Sequence, residues 1–112
     1  MIKKSHLILY VADQAKSTGF YSKVLGISPI LDVPGITEFE ILSGCILGLM
    51  PEKGIKRLLG KVLPDPSKAT GTPRAELYLV VTDPQSYFER AVSAGAKSLS
   101  PLLERDWGHH AA

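Results

Sequence analysis

The sequence predicts an α+β fold assembled from two βαβββ units in tandem, and three observations predict it. The apolar run "HLILYV" (6–11) leads into Asp13 and a helix-period stretch, and "ELYLVV" (76–81) leads into Asp83 and a second such stretch. His6 precedes Asp13 by the same seven-residue step that separates Glu76 from Asp83. Leu7, Leu9 and Val11 recur in register as Leu77, Leu79 and Val81, and strand alternation puts each trio on one face.

The first unit covers about residues 1–50. A strand over 6–12 ends at Asp13, whose short acidic side chain suits a helix N-cap, and Phe20, Tyr21, Val24 and Leu25 then recur at helical spacing until Gly26 closes the turn. "ISPILDV" (27–33) and "TEFEILS" (37–43) read as strands joined by Pro34-Gly35, and "CILGLM" (45–50) follows Gly44 as another. A connection over about 51–74, rich in Pro and Gly, carries one short helix near 54–60.

The second unit covers about residues 75–112. A strand over 75–83 meets Asp83 as N-cap with Pro84 at the first helical position, Tyr87, Phe88, Ala91 and Val92 form the apolar stripe, and Gly95 ends the helix. "AKSLSPLLERDWGHHAA" offers no further strand, so this unit reads as C-terminally incomplete, short of two strands or on the order of 15 residues. Such a unit would expose a sheet edge and apolar surface, which predicts self-association.

One domain over 1–112 is expected from 112 residues with 45% hydrophobic and 21% charged content. No apolar run approaches the roughly 18 residues of a membrane span, and the N-terminus does not read as a signal peptide. The lone Cys45 forms no intrachain disulfide, in keeping with a reducing, cytoplasmic setting. A net charge of +2, without an RNA-binding or zinc-finger motif, argues against nucleic acid as a partner.

The duplicated units, the opening "HLILYVADQAKSTGFYSKVLGI" with its "FY…VLG" helix, and the second opening "AELYLVVTDPQSYFERAVSAGAK" resemble the vicinal oxygen chelate superfamily of glyoxalase I, bleomycin-resistance proteins and extradiol dioxygenases. The resemblance implies a glyoxalase-like fold, with the tandem modules forming a curved mixed sheet. In metal-dependent members, a divalent ion is held in the concave sheet by residues of the first and last strands of each module. His6 matches the first-module position, and Glu76 falls where the second module often supplies His. A carboxylate there remains compatible with Mn, Fe, Ni or Zn. The third position falls at or beside Gly48, where neither Gly48 nor its neighbours Leu47 and Leu49 can donate to a metal. The fourth would lie on the strand the second module lacks.

Two functions follow from the resemblance. One is a divalent-metal-dependent lyase or dioxygenase-like enzyme acting on a small vicinal-oxygen substrate, with His6 and Glu76 as metal ligands or Glu76 as the catalytic base. The other is metal-independent binding or sequestration of a flat or amphiphilic compound, in the manner of bleomycin-resistance proteins, with Tyr10 and Tyr78 as contact surface. Either implies a small-molecule ligand and a homodimer, formed in one version by strand exchange. Trp107 is a candidate for the pocket rim or for cover over the core. His109 and His110 are neighbours on an extended segment, so at most one would reach a shared ion. Cys45 reads first as a small buried hydrophobe. Lys56 and Arg57, in the basic connection, are candidates for an anion-attracting lid, against the plainer reading of a solvated linker.

Overall fold

A computed structural model describes residues 1–112. Its first half is a four-stranded sheet in the order β1-β4-β3-β2, with β1 (Ser5–Val11), β2 (Leu31–Val33), β3 (Ile36–Leu42) and β4 (Cys45–Pro51). β1 runs parallel to β4, and the β2–β3 and β3–β4 pairs are antiparallel. The parallel pair requires a crossover, supplied by α1 (Gln14–Leu25) and the two hairpins behind it. Asp13 caps α1 by accepting from the Lys16 amide at 3.0 Å, and Gly26 terminates it in the left-handed region at φ +67°. The predicted strand 27–33 survives only as β2, because Pro29 stands in the run before it.

The register divides the side chains of the sheet between two faces. Leu9 and Val11 of β1, Thr37 and Phe39 of β3, and Leu47 and Leu49 of β4 face α1, where Tyr21 and Leu25 meet them. Phe39, Leu47, Leu49 and Thr37 are fully buried there. The Thr37 hydroxyl accepts from Gln14 Nε2 and Thr18 Oγ1, each at 2.9 Å, and donates to Asp32 Oδ1 at 3.0 Å. Its hydrogen-bonding capacity is filled inside an otherwise apolar core. Gln14 also donates to the Val33 carbonyl and accepts from the Gly35 amide, tying α1 to the β2–β3 turn.

The connection forms α2 (Glu52–Leu59), which packs on β1 and β4 and buries Ile55, followed by short 3-10 turns at Gly60–Val62 and Pro66–Lys68. Lys56 Nζ donates to the Gly60 and Leu63 carbonyls at 2.7 and 2.6 Å. That engagement makes Lys56 a brace for the turn after α2.

The second half departs from the sequence expectation. Residues 75–83 run without forming a strand ladder, and no backbone hydrogen bond reaches residues 75–82. Leu77 and Leu79 nevertheless pack onto the core of the first half, so the predicted face is the one that turns inward. The segment lays its side chains across that core and has no strand beside it in the plane of a sheet. α3 (Pro84–Ser93) follows, with Asp83 accepting from the Ser86 amide at 3.1 Å, the same cap geometry as Asp13. Two short strands come after it, contrary to the expectation of none: β5 (Leu103–Glu104) and β6 (His110–Ala111) form an antiparallel hairpin.

α3 packs against α1. Arg90 spans the junction, donating from Nε and a terminal nitrogen to the Val24 carbonyl at 3.2 and 3.0 Å and to Ser86 Oγ at 2.7 Å. Its guanidinium lies 4.2 Å from the Tyr87 ring centroid. Lys23 adds a hydrogen bond to Ser93 Oγ at 3.0 Å. The two halves therefore meet through their helices and through Leu77 and Leu79.

Candidate functional site

The face of the sheet opposite α1 collects His6, Ile8 and Tyr10 from β1, Ile46, Gly48 and Met50 from β4, and Glu38 and Glu40 from β3. His6 lies beside Ile46, Ile8 beside Gly48, and Gly48 beside Glu38. His6 Nδ1 sits 3.1 Å from Glu38 Oε2, an ion pair when the ring is protonated and a hydrogen bond when it is neutral. The imidazole is 37% exposed and the Glu38 side chain 16%. Ile8 and Tyr10 flank the imidazole along β1 and are also open to solvent.

Gly48 lies in the row of Ile8 and Glu38, one row along from His6, Ile46 and Glu40, so the His6–Glu38 contact crosses β4 on a diagonal. Neighbouring strands stand about 4.8 Å apart, so β1 and β3 are separated by roughly twice that, with β4 between them. A Cβ at Gly48 would already come within 3.2 Å of Ile8 Cγ1. The position that reads from sequence as a lost metal ligand is thus one where an added side chain would press on Ile8.

Glu76 lies exposed on the extended segment, with neither an ion pair nor a hydrogen bond, so one chain does not join it to His6. Tyr78, Trp107 and His109 form a second cluster: the Tyr78 hydroxyl lies 2.9 Å from His109 Nδ1 and accepts from Trp107 Nε1 at 3.3 Å. The Tyr78 and His109 rings stack with centroids 5.9 Å apart. Tyr78 through Val81 also border a cavity of about 420 Å³ with Leu25, Ile27 and the end of β3. Cys45 is half-buried and accepts a long contact from Ser5 Oγ at 3.7 Å.

No group of three or more His, Cys, Asp or Glu side chains in the chain is placed to hold a metal ion. Mononuclear zinc-type centres take three or four protein donors, and His6 with Glu38 supplies two. A single chain therefore does not fit the metal that the fold family implies. Glu38 is the site residue that the sequence reading missed. Its signal is the alternation Thr37-Glu38-Phe39-Glu40, which sends both acids to the face opposite buried Phe39.

The description Glyoxalase/Bleomycin resistance protein/Dioxygenase superfamily matches residues 3–112. The chain belongs to that superfamily. Among solved structures, a glyoxalase-related enzyme from Fulvimarina pelagi superposes with a TM-score of 0.71 at 21% identity, over 96% of this chain and 76% of that one. This likeness establishes a glyoxalase-like fold. Uncharacterised proteins of Mycobacterium bovis and Mycobacterium tuberculosis are 28% identical over 104 residues, covering 89% of this chain. The matched region is 67% of the length of the M. bovis protein and 60% of the M. tuberculosis protein. In this superfamily member, His6 stands on β1 and a carboxylate, Glu38, reaches it from β3. No helix is long and apolar enough to cross a membrane.

Proposed function

We propose that this superfamily member binds a small amphiphilic molecule on the His6 face of the sheet, in a site closed by a second copy of the chain. The observation that carries this reading is a pair of unused strand edges. β1 is an edge strand, hydrogen-bonded only to β4, and residues 75–82, whose burial alternates as a strand's does, have no backbone partner. Extended backbone with idle N–H and C=O groups is a template for pairing. Pairing of β1 with residues 75–82 of another copy would satisfy both edges. It would bring His6 and Glu76, which open the two segments, to one surface, with Tyr10 and Tyr78 as its aromatic walls.

The dimensions agree with a chain that is completed by association. Eight of 112 residues are buried, and the radius of gyration is 15.4 Å against about 13 Å for a compact domain of this length. Ile8, Tyr10, Tyr78 and Val80 all remain exposed.

A metal-dependent reading is supported by the donor types, since His6 and Glu38 stand together on one face and imidazole and carboxylate are both ligands these ions accept. Glu76 of a second copy would supply the third donor for Mn, Fe, Ni or Zn, and the protein would then be a lyase or dioxygenase-like enzyme.

Sedimentation over a concentration series, with amide hydrogen exchange at each concentration, tests the assembly. The expected result is a dimer with residues 75–82 protected, and protection lost on dilution. A monodisperse monomer at all concentrations would sink the shared site. Elemental analysis after exposure to the four metals separates the two chemistries. Stoichiometric metal that disappears in His6→Ala selects the enzyme reading, and no metal in either protein selects metal-independent binding.

A further inference from the structure

We propose that the tip at the end of α2, residues 57–62, is a docking surface for an anionic lipid membrane, with Leu58 and Val62 entering the interface and the surrounding cations meeting the headgroups. The inference is independent of the small-molecule reading, because these residues lie on α2 and the turn after it. Ile55, Leu58 and Leu59 follow the i, i+3, i+4 spacing of one apolar helix stripe. The sheet covers only the first of them: Ile55 is buried, whereas Leu59 is 40% exposed and Leu58 71%. Val62, in the turn beyond, is 83% exposed. The stripe thus overhangs the protein at its C-terminal end. Gly60, at φ +57°, turns the chain there, and the Lys56 ammonium braces the turn through the Gly60 and Leu63 carbonyls. The tip is built before a partner arrives, so docking has little backbone to order.

Exposed apolar side chains occur elsewhere, Val80 and Leu99 among them, and what sets this tip apart is charge. Residues 52–68 carry five cations (Lys53, Lys56, Arg57, Lys61 and Lys68) and two acids (Glu52 and Asp65). The rest of the chain holds eight of the 13 cations and nine of the 11 acids, so the net positive charge resides here. Lys53 and Arg57 stand two residues either side of Ile55 and so point away from the sheet. Lys53, Arg57, Lys61 and Lys68 are all exposed, and the chain's one acid–base contact at ion-pair distance is His6 with Glu38. Asp65 is engaged in its own turn, accepting from the Ser67 amide and hydroxyl at 3.0 and 2.8 Å. Unpaired cations beside projecting apolar side chains match the two layers of an anionic bilayer surface, phosphate above and hydrocarbon below. A purely ionic partner would leave Leu58 and Val62 in water.

The test is co-sedimentation of the full chain with vesicles of phosphatidylcholine alone and of phosphatidylcholine mixed equally with phosphatidylglycerol. Soluble polyglutamate serves as an acidic partner without hydrocarbon. The expected result is binding to the mixed vesicles, little to the neutral ones, and release by salt. Arg57→Gln and Lys61→Gln each weaken it about fivefold, the worth of one cation near such a surface. Leu58→Ser with Val62→Ser weakens it by on the order of tenfold and leaves any polyglutamate binding unchanged. Lys97→Gln with Leu99→Ser, which alters an exposed cation and an exposed apolar residue outside the tip, leaves vesicle binding as in the wild type.

No binding to the mixed vesicles at low salt overturns the proposal. Binding that survives the Leu58 and Val62 substitutions unchanged also overturns it, and would make the tip a site for acidic macromolecules. An equal loss in the Lys97 and Leu99 variant overturns it too, because adhesion would then belong to the surface at large.

Discussion

The two halves of the chain begin with the same grammar and end in different structural states. Each opens with an extended Leu-Leu-Val face, an Asp N-cap and a helix, and the caps accept from the third residue on at 3.0 and 3.1 Å. In the first half, a strand crosses back to pair with β1 and a full sheet closes over Phe39, Leu47 and Leu49. In the second, residues 75–82 find no ladder, and the hairpin beyond α3 is two residues long on each side. Local signals thus specify caps and faces equally in both halves. A sheet also needs neighbours in its plane, and the chain places none beside residues 75–82.

The largest test of that contrast lies in the core. Phe39→Ala removes a fully buried ring from the centre of the first half and is expected to cost about 3–5 kcal/mol. Leu79→Ala, a partly buried residue leaning on the same core from outside, should cost clearly less. Denaturant unfolding of both variants checks the order. Equal losses would mean that the second half contributes as much core as the first, and the comparison would break.

Next in size is the joint between the halves. Arg90 joins α3 to the last turn of α1 through the Val24 carbonyl, and Arg90→Met keeps most of the side chain's bulk while losing the charged donors. The expected loss is about 1.5–3 kcal/mol, the range for hydrogen bonds from a charged group. If the halves unfold together in the wild type, the variant should separate their transitions, with residues 84–93 losing exchange protection first. A single transition as sharp as the wild type's would show that helix packing, Lys23 and the Leu77 and Leu79 contacts hold the joint without Arg90.

The sequence reveals some of this architecture directly, and the reasons are local. Asp13, Gly26, Asp83 and Pro84 act through the residues beside them, so their roles can be read from spacing. Leu77 and Leu79 are legible because alternation fixes their face whether or not the segment joins a ladder. The missing ladder is illegible, since β-pairing depends on what lies alongside. The same limit hides the site: His6 stands out as a lone imidazole, but its partner is two strands away in space, and only the strand order β1-β4-β3 brings Glu38 to it. Reading Gly48 as a lost ligand looks at one strand, whereas the carboxylate arrives from the next.

A smaller effect sharpens the comparison at the caps. Asp13→Ala and Asp83→Ala each remove one side-chain acceptor from a helix start, worth about 1 kcal/mol. In Asp13→Ala the loss should appear in global unfolding, because α1 covers the main core. In Asp83→Ala it should appear first as faster exchange over α3, the half with fewer supports. Identical global losses from both would show that the second half is as tightly coupled to the core as the first.

The smallest expected effect concerns Tyr21, and it belongs to the first half alone. Burial against the core pushes its phenol above the ordinary value near 10, because the charged phenolate would lose water without gaining a partner. The sign follows from linkage. Above about pH 10 the unfolded chain releases this proton while the folded chain still holds it, so stability falls as pH rises until the folded-state value is passed. Tyr21→Phe removes that slope and leaves stability below pH 9 nearly unchanged, because the ring still fills its place beside Leu25. Denaturant midpoints of the two proteins from pH 8 to 11 should therefore diverge only at the alkaline end. Parallel curves would mean that the phenol keeps contact with water, and that the core of the first half is looser at α1 than its fully buried strands imply.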